Sequence, residues 1–277
     1  MTTPGVALSG GGASPPEEAR LDRQREPLPT DVSALPPLPA EYALELDRAL
    51  DGLGVALAAA ARAAIDGHVR LLLAWNTAIN LSAIRQPAAI ARLHVADSLA
   101  ALGLVRAGPH RSLLDLGSGG GFPGLPIAAA LPGTRVDLVD SVAKKAAFLE
   151  TVVRATGLAD RVAVIPARSE AIAGRAGGGD RDVVTARAVG TLDDLVELAL
   201  PLLSVGGRLI AWKRGDISAE LEAGRRAAAA LGGAAPLVHP VPAAAGLPGH
   251  VLVEVRKARP TPPGYPRDPA VRKRRSW

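Results

Sequence analysis

The spacing of apolar residues changes once along the chain. From Glu41 to Leu104 they recur every three or four positions, which predicts a run of amphipathic helices. Pro87 suits the first turn of the third helix, which runs to about Leu104, because a helix start leaves N–H groups unpaired and proline has none. The apolar faces of the first two helices are predicted to hold Leu44, Leu50 and Leu57, and then Val69, Leu72, Leu73 and Ile79.

Beyond Arg111, short apolar runs alternate with segments of helical spacing. This alternation predicts an α/β fold in which helices cover both faces of a parallel sheet. The last two runs are joined without a crossover helix and are expected to close the sheet as an antiparallel hairpin. The predicted strands are Ser112–Leu116, Arg135–Asp140, Arg161–Pro166, Asp182–Arg187, Arg208–Lys213, Leu237–Val241 and His250–Lys257, and the predicted helices are Pro126–Leu131, Lys144–Thr156, Ser169–Ala173, Asp193–Leu203 and Asp216–Leu231.

The two ends of the chain differ in composition from the middle. Residues 1–40 hold eight prolines and four glycines with few large apolar side chains, which predicts a disordered extension. The segment Arg256–Trp277 carries eight basic residues and one acidic residue, so we expect it to bind polyanions, with Tyr265 and Trp277 available to stack on bases. The predicted division is an extension over 1–40, a helical region over 41–104, an α/β domain over 105–257 and a basic tail over 258–277.

Composition narrows the classes of function. The chain has 277 residues, a net charge of +5 and no cysteine, so it has no disulfide, no cysteine-ligated metal and no cysteine nucleophile. Its start has neither the basic nor the apolar segment of a signal peptide, and its longest weakly polar stretch, Val55–Ile65, is too short to span a bilayer. We expect a cytoplasmic monomer that holds no metal and does not act at a membrane.

A glycine-rich loop follows the first predicted strand. From Asp115 to Gly124 it reads DLGSGGGFPG and leads into a helix. Glycines let the backbone approach a ligand closely, and a helix start offers unpaired N–H groups. Asp140 closes the second strand, where an acidic side chain commonly binds ribose hydroxyls. Together these features predict a nucleoside-containing cofactor at the carboxyl ends of the strands.

Two cofactors fit this loop. Its part from Gly119 to Gly124 satisfies GxGxxG, the motif of nicotinamide dinucleotides. With Asp115 in front it also reads DxGxGxG, which resembles S-adenosylmethionine sites, and a carboxylate there would repel a pyrophosphate but attract a sulfonium or ammonium group. The turn Leu202–Gly207 is typical of seven-strand methyltransferases. S-adenosylmethionine is therefore the predicted cofactor, and a nicotinamide-dependent oxidoreductase is the alternative.

Two features that the sequence lacks reduce the number of possible methyl acceptors. The fourth strand leads into TARA at 185–188 rather than into the Asn/Asp-Pro-Pro-aromatic loop of many amino-group methyltransferases. Methylation of pyrimidine carbon 5 usually needs a cysteine nucleophile, and the chain has none. Guanine N7 is an acceptor that is already nucleophilic and loses no proton before attack. Such a transfer requires that N7 be aligned with the methyl group and needs no general base, so no catalytic residue is predicted.

Short motifs over most of the chain resemble those of one family. They are Asn80-Leu-Ser82, His94 with Asp97-Ser98-Leu99, the loop at 115–124, Asp140-Ser141 with Lys144, Ala186-Arg187-Ala188 and Arg259–Arg267. The likeness extends from Glu41 to Arg275 and is to the small-subunit rRNA guanine-N7 methyltransferases, also called glucose-inhibited division protein B. It implies methyl transfer from S-adenosylmethionine to N7 of one guanine in the 16S rRNA of the small ribosomal subunit.

The resemblance also implies a fold and a set of site residues. The fold is the class I S-adenosylmethionine-dependent methyltransferase fold, Rossmann-like, with a mostly parallel seven-stranded sheet and an antiparallel last strand. By motif, Gly117 and Phe122 would line the cofactor site, Asp140 would hold the ribose, Ser169 and Glu170 would contact the adenine, and Arg187 would lie beside cofactor or target. Asp115 and Gly119 complete the predicted cofactor-binding set. A non-catalytic rRNA-binding assembly factor with this fold is the alternative of another class.

Some of these residues also have structural explanations. His94 and Asp97 lie three residues apart on a predicted helix and are expected to form a structural hydrogen-bonded pair. Asp115 could instead cap the glycine turn, and Glu170 could be an ordinary first-turn acid of its helix. Trp75 and Trp212 are expected to pack in the core.

Overall fold

The computed structural model describes residues 1–2, 27–173, 179–274 and 277. Most of the predicted extension over 1–40 therefore lies outside the described residues. Its last part, residues 27–39, packs against the helices that follow: Trp75 Nε1 donates to the Pro29 carbonyl oxygen at 2.7 Å, and Arg70 Nε donates to the Pro36 carbonyl oxygen at 2.8 Å. The packed part of the chain thus begins earlier than the predicted boundary at residue 41.

The helical region consists of two separate helices and one interrupted helix. Its elements are α1 (Ala40–Leu53), α2 (Ala59–Trp75), α3 (Pro87–Ile90), a π-helical segment (Ala91–Ala96), α4 (Asp97–Leu99) and α5 (Leu102–Arg106). Pro87 occupies the first turn of α3, as predicted.

Two details of the predicted helical faces are wrong. The buried face of α1 runs through Tyr42, Leu46 and Leu50, which leaves Leu44 on the opposite side and 71% exposed. Leu57 and Ile79 lie outside the helices, because α1 ends before a left-handed glycine at residue 54 and α2 ends at Trp75.

A seven-stranded sheet follows the helical region. Its strands are β1 (Ser112–Leu116), β2 (Arg135–Val139), β3 (Val162–Ile165), β4 (Arg181–Arg187), β5 (Leu203–Arg214), β6 (Leu237–Pro240) and β7 (His250–Arg256), and the helices between them are α6 (Gly124–Ala130), α7 (Ala143–Ala155), α8 (Ser169–Ala173), α9 (Leu192–Ala199) and α10 (Ser218–Leu231). The spatial order is β3-β2-β1-β4-β5-β7-β6, with β7 antiparallel to both of its neighbours. The predicted class I, Rossmann-like fold with its closing hairpin is confirmed.

Hydrophobic residues fill both faces of the sheet. Successive side chains of β1 point to opposite sides, so Leu113 joins the core under the helical region, α6 and α7, whereas Leu114 joins the core under α9 and α10. Trp75 and Trp212 are 8% and 6% exposed and belong to the first of these cores, as predicted. The helical region is therefore continuous in packing with one face of the sheet.

One helical stretch is long and apolar enough to cross a membrane by length and composition alone. It covers Pro87–Arg106 with a mean hydropathy of 1.5, so the expectation that Val55–Ile65 is the longest weakly polar stretch is wrong. Residues Ile90, Val95 and Leu99 on this stretch are fully buried in the protein core. Burial explains its composition without a bilayer.

The basic tail folds back onto α9 and α10. Glu197 on α9 is fully buried and accepts hydrogen bonds from Arg267 and from Trp277 Nε1, the latter at 2.8 Å. The rings of Tyr265 and Trp277 lie 5.9 Å apart, and the Arg267 guanidinium lies 4.7 Å from the Trp277 ring. Trp277 is thus engaged within the protein, because a buried carboxylate needs donors and the tail supplies them. Both rings are half-buried, and the expectation that they stack on bases stays a prediction.

Candidate functional site

Two adjoining cavities open at the carboxyl ends of the parallel strands. Cavity A has a volume of about 650 Å³ and takes its walls from the helical region, the glycine loop and the ends of β4, β5 and β7. Cavity B has a volume of about 410 Å³ and lies over the ends of β2 and β3. The residues common to both are Gly117, Lys145 and Ala188. Two ligands placed in these cavities would meet beside Gly117.

The backbone at this junction adopts conformations that ordinary residues avoid. Gly117 and Gly119 have φ values of +68° and +54°. A Cβ on Gly117 would lie 2.7 Å from Cγ2 of Val189, closer than real side chains approach. Ala188, which also lines both cavities, has φ +58° without being a glycine. Such strained positions occur where the fold must hold a ligand closely.

Most amides of the glycine loop, including the one that starts α6, are paired within the protein. Gly119 N–H donates to Asp140 Oδ2 at 2.9 Å, Gly124 N–H donates to Asp115 Oδ2 at 3.2 Å, and the N–H groups of Gly121 and Phe122 donate to the Ser118 carbonyl oxygen. The expectation that the helix start offers these N–H groups to a ligand is wrong. A pyrophosphate at this loop would lie close to two carboxylates, whereas a dinucleotide site supplies free N–H donors. The donor set therefore fits a cofactor that carries positive charge, as S-adenosylmethionine does.

Besides Gly117, cavity B brings together three of the predicted cofactor residues. Asp140, Ser169 and Glu170 line it, and Asp140 is held in place because its Oδ1 accepts from Val142 N–H at 2.8 Å. Glu170 is paired with Arg272 of the tail helix α11 (Pro269–Arg274), which forms another part of the wall. Sequence reasoning missed Arg272, because nothing in the sequence shows that the tail returns to β3.

Asp115 lies beneath the site and lines neither cavity. Its carboxylate is fully buried, accepting from Thr185 Oγ1 at 2.7 Å and from Gly124 N–H at the start of α6. Burial raises the pKa of Asp115 to about 6, despite these donors. The structure therefore shows the capping role that the sequence left as an alternative, and the assignment of Asp115 to the cofactor-binding set stays a prediction.

Arg187 and Phe122 face cavity A rather than cavity B. Arg187 Nη1 donates to Asp97 Oδ2 at 2.9 Å, and its Nη2 donates to His94 Nδ1 at 3.1 Å. Phe122 stacks on the His94 ring with 4.7 Å between centroids. The predicted direct pair between His94 and Asp97 is wrong, because Arg187 lies between the two side chains and bonds to both.

Cavity A contains further polar groups that the sequence did not single out as site residues. His250 Nδ1 and Asp97 Oδ1 are 2.8 Å apart, and Trp212 Nε1 donates to the Asp97 carbonyl oxygen at 2.8 Å. His68 on α2 is fully enclosed below the loop, with its Nε2 2.7 Å from the Gly120 carbonyl oxygen. The last strands and the helical region reach the site only through the tertiary fold, so local sequence carried no signal for these contacts.

Comparisons with known proteins agree with this geometry. The model of the GidB family, rRNA small subunit methyltransferase G, matches residues 62–252. The chain is 43% identical over 205 residues to the ribosomal RNA small subunit methyltransferase G of Roseiflexus sp. (strain RS-1), covering 74% of this chain and 86% of that protein. It is 36% identical over 230 residues to the protein of the same name from Geobacillus kaustophilus (strain HTA426), covering 83% and 96%.

A solved structure shares the fold at lower similarity. A protein from Corynebacterium glutamicum superposes with a TM-score of 0.50 at 17% identity, covering 78% of this chain and 98% of that one. The family assignment rests on the sequence matches, which span most of this chain and of its relatives. The chain belongs to the family of rRNA small subunit methyltransferase G.

Proposed function

We propose that this protein transfers the methyl group of S-adenosylmethionine to N7 of one guanine in 16S rRNA of the small ribosomal subunit. The observation that carries the proposal is the junction of the two cavities at Gly117. A nucleoside held in cavity B and a base held in cavity A meet at this point. S-adenosylmethionine, when bound, supplies an electrophilic methyl group on a positively charged sulfur.

The residues of cavity B suit the nucleoside end of this cofactor. Asp140 follows β2 and is fixed by two backbone N–H donors, so its oxygen atoms are positioned to accept from ribose hydroxyls. Ser169 and Glu170 at the start of α8 lie farther along the same cavity, where the adenine would extend. Gly117 leaves the space through which the methyl-bearing end reaches cavity A.

The chemistry of cavity A fits an acceptor that needs no general base. Burial, followed by the positive charge of Arg187, lowers the pKa of His94 to about 3, and both of its ring nitrogens are within hydrogen-bonding distance of protein groups. Arg187 is paired with Asp97. Guanine N7 has an available lone pair, so alignment with the methyl group is the main requirement. His94 is thus a poor base, which supports N7 over an acceptor whose proton His94 would have to remove.

The mouth of cavity A carries basic groups suited to an RNA backbone. Lys145 and Arg214 line it and can attract phosphates, whereas Lys213 on the same wall is paired with Glu220. One chain supplies the walls of both cavities, which supports action as a monomer, and an rRNA substrate supports a cytoplasmic location away from membranes. The helical region and the α/β domain both line cavity A, so we propose that they act as one unit.

Methyl-labelled S-adenosylmethionine tests donor and substrate together. The purified protein would be incubated with small subunits from a strain lacking this gene, and with subunits that already carry the modification as the control. We expect label in 16S rRNA of the first sample and none in the second. Binding of the subunits without label in either sample would contradict the proposal and favour a non-catalytic assembly factor.

A further inference from the structure

Ser82 stands on the wall of cavity A at the end of a hydrogen-bond chain whose direction is fixed. The chain begins at Arg187, whose guanidinium can only donate, and Nη2 of Arg187 lies 3.1 Å from His94 Nδ1. His94 Nδ1 must therefore accept, which leaves the ring hydrogen on Nε2. That atom lies 2.7 Å from Ser82 Oγ, so His94 donates to Ser82.

The histidine ring is held in this state by its surroundings. Burial and the neighbouring positive charge of Arg187 lower the pKa of His94 to about 3, so the ring is neutral at physiological pH and has a single hydrogen to donate. Stacking on Phe122, at an interplanar angle of 18°, fixes the plane of the ring. Protonation is then not available to reverse the chain, and a ring flipped by 180° would lose both hydrogen bonds.

The Ser82 hydroxyl has one unused group. Its oxygen accepts from His94 Nε2 and from the Ile84 backbone N–H at 3.0 Å, which occupies both lone pairs. Within the described residues no acceptor lies in reach of the hydroxyl hydrogen. Asn76 fixes the backbone on either side, because its Oδ1 accepts from Leu81 and Ser82 N–H and its Nδ2 donates to the Ser82 carbonyl oxygen. Ser82 thus presents a rigid donor to cavity A.

The group next to N7 distinguishes the two purines. Guanine carries a carbonyl oxygen, O6, which accepts a hydrogen bond, whereas adenine carries an amino group, which donates one. We propose that the Ser82 hydroxyl donates to O6 of the target base, which makes Ser82 a specificity-determining residue of the methyl transfer. This inference rests on the proposed function, because it requires a purine in cavity A. The amino group of an adenine would face the Ser82 hydroxyl, whose lone pairs are both occupied, and could not donate a hydrogen bond to it.

The proposal is tested by removing each partner of the hydrogen bond in turn. Small subunits would be reconstituted with 16S rRNA carrying either guanosine or 2-aminopurine riboside at the methylated position, since 2-aminopurine lacks O6. Each would be assayed with the wild-type protein, Ser82→Ala and Ser82→Thr. Ser82→Thr is the matched control, because it keeps the hydroxyl. Titration with S-adenosylhomocysteine checks that each variant retains its cofactor site.

On guanosine, Ser82→Ala should lower kcat/KM by about 10- to 100-fold, the loss of one hydrogen bond to a buried partner. Ser82→Thr should stay within about fivefold of the wild type, which is a smaller loss than a missing hydrogen bond causes. On 2-aminopurine, the wild type and Ser82→Ala should react at equal rates. An equal Ser82→Ala penalty on both substrates would overturn the inference, because Ser82 would then act only through local structure. Absence of wild-type methylation on guanosine would instead overturn the proposed function.

Discussion

Replacing Gly117 with alanine should weaken cofactor binding strongly and should also lower the stability of the protein. Gly117 lies where the two cavities meet, with φ +68°, and a Cβ there would lie 2.7 Å from Cγ2 of Val189. Either the valine moves or the loop moves, and both changes narrow the passage between the cavities. The methyl-bearing end of the cofactor is expected to occupy that passage.

The magnitudes follow from the backbone and the contact. A left-handed φ costs an alanine about 1–2 kcal/mol relative to glycine, and overpacking against Val189 adds about 1–3 kcal/mol. Gly157 provides a matched control, because it has φ +69° but no atom within 4 Å of the position that a Cβ would take, and it lines neither cavity A nor cavity B. Gly157→Ala should lose only the stability that corresponds to the left-handed φ, about 1–2 kcal/mol.

Calorimetric titration with S-adenosylhomocysteine and urea unfolding would separate the two effects. Gly117→Ala should bind at least about 100-fold more weakly than the wild type, equivalent to about 2.7 kcal/mol. Gly157→Ala should bind within about twofold of the wild type, a difference below about 0.5 kcal/mol. Affinity of Gly117→Ala within threefold of the wild type, with the stability loss present, would refute the assignment of the junction to the cofactor.

Two further predictions concern groups buried around the site. Burial lowers the pKa of His68 to about 4, while an unfolded histidine titrates near 6.5, so the stability of the protein is lost as the pH falls from 6.5 towards 4. Between pH 7 and pH 5 the free energy of unfolding of the wild type should fall by about 2 kcal/mol more than that of His68→Gln. Equal decreases in the two proteins would contradict this prediction. Deleting residues 259–277 leaves Glu197 without its tail donors and removes Arg272 from cavity B, so melting temperature and S-adenosylhomocysteine affinity should both fall. Weaker rRNA binding with both quantities unchanged would show that the tail serves RNA alone.

The sheet could be predicted from sequence because its strands are buried on both faces. Such strands are continuous apolar runs bounded by turns, and the observed β1, Ser112–Leu116, has the predicted limits. The start of β5 was less predictable: the strand begins at Leu203 rather than Arg208, because it continues through Gly206 and Gly207, where the pairing with β4 is irregular. Local propensity places strands well and their irregular ends poorly.

The polar contacts were harder to predict, because their partners are distant in sequence. Asp97 pairs with His250, 153 residues away, and Glu197 pairs with Arg267, 70 residues away. The composition of the tail indicated a free polyanion-binding segment, yet burial of Glu197 requires donors that the tail provides. Burial alone would raise the pKa of Glu197, but the hydrogen bonds from Arg267 and Trp277 outweigh it and lower that pKa. Only the tertiary structure reveals that these distant residues are paired.

Methylation at N7, rather than at another atom of guanine, can be tested by chemical cleavage of the rRNA. After reaction with S-adenosylmethionine, 16S rRNA from the small subunits would be treated with borohydride and aniline, which cleave the chain at N7-methylguanine. We expect one new cleavage site, at a guanine, that is absent without the protein. Methyl label in the rRNA with no new cleavage would place the methyl on another atom and contradict the proposed transfer to N7.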